Sequence, residues 1–121
     1  MERILLIDDE PSIRMLGKRV LEGAGFEVTV AEDGPTGVKH FQSNPHDLII
    51  IDLTLPGEQP LSALEEIRKT GSNVPVLVIS GHDLHDEAFT RARENKLVTD
   101  ILSKPFELTD LIKAVKTCLQ A

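Results

Sequence analysis

Leu48-Ile49-Ile50-Ile51-Asp52-Leu53-Thr54-Leu55-Pro56-Gly57 runs from an uninterrupted aliphatic stretch through one carboxylate to a Pro-Gly turn. A short apolar run bounded by turn residues reads as a strand buried on both faces, which leaves Asp52 at its end. The same pattern recurs. Ile4-Leu5-Leu6-Ile7 precedes Asp8-Asp9, Val74 to Ile79 precedes Ser80-Gly81, and Val98 to Leu102 precedes Lys104-Pro105-Phe106. Phe26 to Ala31 and Val98 to Leu102 are less purely apolar and read as edge strands.

Helical spacing fills the intervals. Ile13, Leu16, Val20, Leu21 and Ala24 form a stripe that stops at Gly23-Ala24-Gly25, and Leu61, Leu64 and Ile67 form another behind Pro60. Leu108, Leu111, Ile112, Val115 and Leu119 make the last. Val38 and Phe41, within residues 35–44, and Leu84, Ala88, Phe89 and Ala92, within residues 84–96, predict the two least firmly packed helices. Alternation of five strands with five helices predicts an α/β fold, a doubly wound five-stranded parallel sheet covered on both faces. Residues 1–121 read as one domain, the size a single ordinary core supports. Open sheets of this kind bind ligands at the carboxyl ends of their strands.

Composition narrows the partners. Aromatic residues make up 3% of the chain, so the core has to be aliphatic, and the net charge of -7 opposes non-specific nucleic-acid binding. A protein or a small ion is the expected partner. Cys118 is alone, which excludes an internal disulfide and fits a reducing compartment. The N-terminus lacks the regions of a signal peptide, and no apolar run approaches the roughly 20 residues of a membrane span. The expected location is the cytoplasm.

The strand ends carry the chemistry. Adjacent carboxylates such as Asp8 and Asp9 repel one another; they can cap the helix opening near Pro11, or hold a hard divalent cation that prefers oxygen ligands. Mg²⁺ keeps several waters and uses few carboxylates, so an open edge of three aspartates suits it. Asp52 reads as a turn residue or as a nucleophile, since a carboxylate can accept a phosphoryl group as an aspartyl phosphate. Phosphoryl transfer chiefly needs charge neutralised and oxygens held in line, for which a metal, a hydroxyl (Ser80) and an ammonium (Lys104) are suited.

Over essentially its whole length the sequence resembles the receiver domain of two-component response regulators. The matching elements are Ile4 to Glu10, Asp47 to Gly57, Val74 to His82 and Asp100 to Phe106, in this order and spacing. The resemblance implies a flavodoxin-like (CheY-like) sheet of order 2-1-3-4-5. It implies phosphorylation of Asp52 by a phosphohistidine on a sensor histidine kinase or histidine phosphotransfer protein. Asp9, Asp52 and the Thr54 backbone carbonyl would contact Mg²⁺, with Asp8 acting mainly through water. Ser80 would hydrogen-bond the phosphoryl group, Lys104 would pair with it, and the bond before Pro105 would be cis. Such a domain signals by switching partner binding or dimerisation, and is no enzyme beyond its own phosphorylation and dephosphorylation.

Three positions depart from the family pattern. Ile101 stands where Tyr or Phe is usual, Leu97-Val98 where Gly-Ala is common, and Gln59-Pro60 where a glycine turn is common. Output is therefore expected to depend on Ser80 and on backbone movement around the face of the fourth helix, fifth strand and fifth helix. Thr54 and His82, two residues beyond Asp52 and Ser80, are expected to tune the phosphoryl lifetime. A phosphohydrolase with an aspartate nucleophile competes less well, because Thr54 occupies the position of its acid-base aspartate. A degenerate receiver acting as a phosphorylation-independent interaction module is the remaining alternative.

Overall fold

In the computed structural model, which describes residues 1–52, 62–80 and 98–120, β3 (Leu48–Asp52) is buried at every position and forms the centre of a five-stranded parallel sheet. β1 (Arg3–Ile7) and β4 (Val76–Ser80) flank it. β2 (Glu27–Ala31) and β5 (Asp100–Ser103) lie at the edges, as their mixed composition predicts. The order β2-β1-β3-β4-β5 is the one that the resemblance implies, and the sheet is parallel and doubly wound as the alternation of elements predicts.

The side-chain alternation of a strand divides the core into two halves. Leu5, Ile7, Ile49, Ile51, Val76 and Val78 face one way, against α2 (Gly34–Ser43) and α3 (Ser62–Lys69). Ile4, Leu6, Leu48, Ile50, Leu77 and Ile79 face the other, against α1 (Pro11–Gly23) and the C-terminal helix α4 (Leu108–Gln120). Both faces of β1, β3 and β4 are thus covered, which is why their sequences read as continuous apolar runs. The remaining helix expected between β4 and β5, with Leu97 and the Gln59-Pro60 segment, lies outside the described residues.

Element boundaries differ slightly from the apolar runs. β4 begins at Val76 because Pro75 has no N–H to give, and the Val74 N–H is taken by the Ser72 hydroxyl at 3.2 Å. Thr99 starts the pairing of β5 by exchanging two hydrogen bonds with Val76, one from its backbone and one through Oγ1. In α1 the inward position belongs to Gly17, one turn before the buried Leu21, so Leu16 stays 45% exposed instead of joining the apolar stripe. A Cβ on Gly17 would lie 2.9 Å from Leu6 Cδ2, and one on Gly37 would press on the Ile7 side chain. Close helix-to-sheet packing therefore depends on two glycines that hydropathy patterns pass over. Asp33 caps α2 by accepting from the Thr36 N–H at 2.8 Å, and no helix among the described residues is long and apolar enough to cross a membrane.

Candidate functional site

Parallel register decides which side chains meet. Ile7 pairs with Ile51, so the residues that follow, Asp8 and Asp52, leave the sheet side by side. Asp52 in turn pairs with Ile79, and Ser80 with Ser103, which brings Lys104 one step beyond the same edge. The Lys104–Pro105 peptide bond is cis, as the resemblance implied. Lys104 Nζ donates to Asp52 Oδ2 at 2.9 Å and lies 3.8 Å from Glu10 Oε1.

Asp8, Asp9 and Asp52 converge. One carboxylate oxygen from each lies within 4.8 Å of the other two; Asp8 and Asp52 are buried, and Asp9 is exposed. The helix-capping alternative for the acidic pair is not what forms. Glu10 occupies the N-cap of α1 without a side-chain capping bond, while Asp8 Oδ1 accepts from the Glu10 N–H at 2.9 Å.

Asp8 is almost fully accounted for. Its N–H donates to the Ala31 carbonyl at 3.0 Å and its own carbonyl accepts from Arg14 Nη1 at 2.8 Å. Oδ2 is buried and has no hydrogen-bond partner among the described residues. A buried carboxylate oxygen without a donor is costly, and a cation shared with Asp9 and Asp52 would relieve it. The donor set, all carboxylate oxygen, fits a hard divalent ion such as Mg²⁺.

Electrostatics follow from that crowding. Burial, opposed by the Glu10 hydrogen bond and reinforced by the charge of Asp52, pushes the Asp8 carboxyl up to about 6. Burial pulls the Lys104 ammonium down, but the hydrogen bond and charge of Asp52, with Asp8 and Glu10 behind it, outweigh this and raise it. The arrangement holds a cation at rest and has a carboxylate edge ready for another.

Of the residues expected at the site, Asp8, Asp9, Asp52 and Lys104 lie together at one edge of the sheet. The backbone of Ser80 ends β4 beside them, while its side chain, Thr54 and His82 lie outside the described residues. Ile101 is half-buried and packs with Val98 against the core on the α2–α3 face. Two contributors escape motif reading: Glu10, whose N–H holds Asp8 while its carboxylate faces Lys104, and Arg14, which clamps the Asp8 carbonyl. The only hint in the sequence is a basic residue one turn into the helix that follows an acidic triplet.

Comparison with known proteins agrees with this geometry. The family profile of the response regulator receiver domain matches residues 4–116. The transcriptional activator protein IrlR of Burkholderia pseudomallei is 34% identical over 119 residues, covering 98% of this chain and 50% of IrlR. The chain thus spans about half the length of the curated relatives it matches. Among solved structures, the chemotaxis protein CheY4 of Vibrio cholerae is 26% identical with a TM-score of 0.89, covering 98% of both chains. The response regulator TrrA of Thermotoga maritima, in complex with Mg²⁺ and BeF, is 31% identical with a TM-score of 0.83, covering 98% of this chain and 99% of TrrA. The chain belongs to the response regulator receiver domain family. It is a signalling domain of two-component systems, a family in which phosphorylation and Mg²⁺ binding at an acidic pocket are typical.

Proposed function

We propose that this receiver domain accepts a phosphoryl group on Asp52 from a phosphohistidine of a sensor histidine kinase or phosphotransfer protein. The observation that carries the reading is the buried Asp52 carboxylate, held by Lys104 at 2.9 Å beside an Asp8 oxygen that has no donor among the described residues. Asp8, Asp9, Asp52 and the Thr54 carbonyl are the residues that would hold Mg²⁺, with Asp8 acting mainly through water. When bound, Mg²⁺ neutralises charge on the phosphoryl oxygens.

A carboxylate oxygen of Asp52 attacks phosphorus, the bond from phosphorus to the donor imidazole nitrogen breaks, and the imidazole departs with the electron pair and takes up a proton. An acyl phosphate on Asp52 results. The Lys104 ammonium, already hydrogen-bonded to the carboxylate, pairs with a phosphoryl oxygen, and the Ser80 hydroxyl donates to another. In hydrolysis, water attacks the same phosphorus and restores the Asp52 carboxylate with release of phosphate. Thr54 and His82, two residues beyond Asp52 and Ser80 in the sequence, are assigned the role of setting its rate. The domain therefore catalyses only its own phosphorylation and dephosphorylation.

Output runs through Ser80 and through backbone movement around β5 and the last helix, α4, with Ile101 in place of an aromatic ring. That movement switches partner binding or dimerisation. The domain itself needs no direct contact with nucleic acid, and its chemistry fits the cytoplasm. Intact-mass measurement after incubation with Mg²⁺ and acetyl phosphate tests the assignment. Wild type gains one phosphoryl group and Asp52→Asn gains none. A wild type that stays unmodified with both acetyl phosphate and a cognate phosphohistidine donor would instead be a phosphorylation-independent interaction module.

A further inference from the structure

We infer that Arg14 is a positioning residue for the cation site, acting on Asp8 through its backbone carbonyl. The inference rests on the metal reading given above and extends it to a residue outside the carboxylate cluster.

The end of β1 has to hold Asp8 against the repulsion of Asp9 and Asp52. Three bonds do so. The Asp8 N–H is fixed on β2 by the Ala31 carbonyl, Oδ1 is fixed by the Glu10 N–H, and the carbonyl is fixed by Arg14 Nη1 at 2.8 Å. Of the polar atoms of this buried residue, Oδ2 alone has no hydrogen-bond partner among the described residues. Arg14 reaches back six residues from the first turns of α1, so it ties that helix to the strand end it follows. A guanidinium bonded to a neutral carbonyl also leaves the carboxylate oxygens to the cation. Its charge acts in the opposite sense, because a second cation near the site repels Mg²⁺.

These two roles give opposite signs when Arg14 is replaced by Met. If Arg14 positions Asp8, Mg²⁺ binding weakens by about 10-fold, the usual cost of removing a residue that orients a metal ligand. If it acts by charge alone, binding tightens. The experiment is a Mg²⁺ titration of the unphosphorylated protein by calorimetry, at a temperature where circular dichroism shows each variant folded. Arg14→Lys, which keeps the charge and a donor, should fall between wild type and Arg14→Met. Unchanged or tighter binding in Arg14→Met overturns the inference, and so does Arg14→Lys binding no better than Arg14→Met. Wild type failing to bind Mg²⁺ overturns the metal reading and this inference together. Wild type that binds while Arg14→Met binds equally well overturns this inference alone.

Discussion

Lys104 Nζ donates to Asp52 Oδ2 at 2.9 Å, joining an acceptor side chain that is 1% exposed to a donor that is 24% exposed. The pair is asymmetric: the Asp52 carboxylate is almost wholly buried, whereas Lys104 is partly solvated and also has Glu10 within reach. Removing the lysine takes a cation away from a buried carboxylate, and removing the aspartate leaves only a partly solvated ammonium.

Lys104→Met should therefore destabilise the metal-free protein by about 2 kcal/mol, less than for a fully buried pair because the ammonium is partly solvated. Urea denaturation in EDTA measures this. In an Asp52→Asn background the same substitution should cost little, since no buried carboxylate is left for the ammonium to neutralise. An equal loss in both backgrounds would show that the lysine stem, not the ion pair, supplies the stability.

Asp8→Asn should stabilise the metal-free protein at neutral pH. The Asp8 carboxyl is raised from 3.8 to about 6 by burial, so the folded state favours its neutral form. That contribution is fully present below 3.8 and is lost as pH rises through about 6. The advantage of Asp8→Asn over wild type should accordingly be absent in acid, grow between these values and level off above them. Saturating Mg²⁺ should stabilise wild type more than the variant, reversing or shrinking the gap. Urea midpoints measured from pH 4 to pH 8 with EDTA or Mg²⁺ test both limbs, and a gap independent of pH would refute the assignment.

Much of this site was legible because strand ends carry it. Asp8, Asp52 and Lys104 each follow an apolar run, and parallel pairing converts those linear positions into one edge. Arg14 and Glu10 were not legible as site residues, since a hydrogen bond to a backbone carbonyl leaves no signature in residue type. The outward turn of Leu16 has a similar cause. Its hydropathy fits the stripe, but the smallest residue, Gly17, is the one that α1 can set against Leu6. Packing distance decided that face, and hydropathy does not encode packing distance.

Stability should fall on the acid side through His46. The residue is 8% exposed, its ring stacks on Phe41 with centroids 6.0 Å apart, and Nδ1 has no hydrogen-bond partner among the described residues. Burial lowers its affinity for a proton, partly opposed by a hydrogen bond with Asn44 and assisted by the charges of Arg3 and His40. The unfolded chain then binds the proton more readily, so the stabilising contribution is present above 6.5 and is lost as pH falls through the lowered value. His46→Phe in an Asp8→Asn background, which removes the opposing carboxyl, should flatten the urea midpoint between pH 5 and pH 7. A slope that persists unchanged would assign the acid sensitivity to another group.

Gly37→Ala and Gly23→Ala should have opposite effects although both place alanine in a helix. Alanine gains about 1 kcal/mol of helix propensity over glycine. At Gly23, the last residue of α1, a Cβ would meet nothing within 4 Å, so part of that gain is realised. At Gly37 the Cβ would press on Ile7, whose Cγ1 would lie only 2.8 Å away in a core residue that is 0% exposed. Ile7 can yield only by shifting β1 or leaving its rotamer, and overpacking of this kind costs about 1–3 kcal/mol, enough to cancel or exceed the propensity gain. Because Ile7 immediately precedes Asp8, the strain also reaches the carboxylate edge. Gly37→Ala should therefore lower the urea midpoint and weaken Mg²⁺ binding, while Gly23→Ala leaves Mg²⁺ binding unchanged. Equal midpoints for the two variants would mean that β1 and α2 can separate at no cost, contrary to the packing that holds the site.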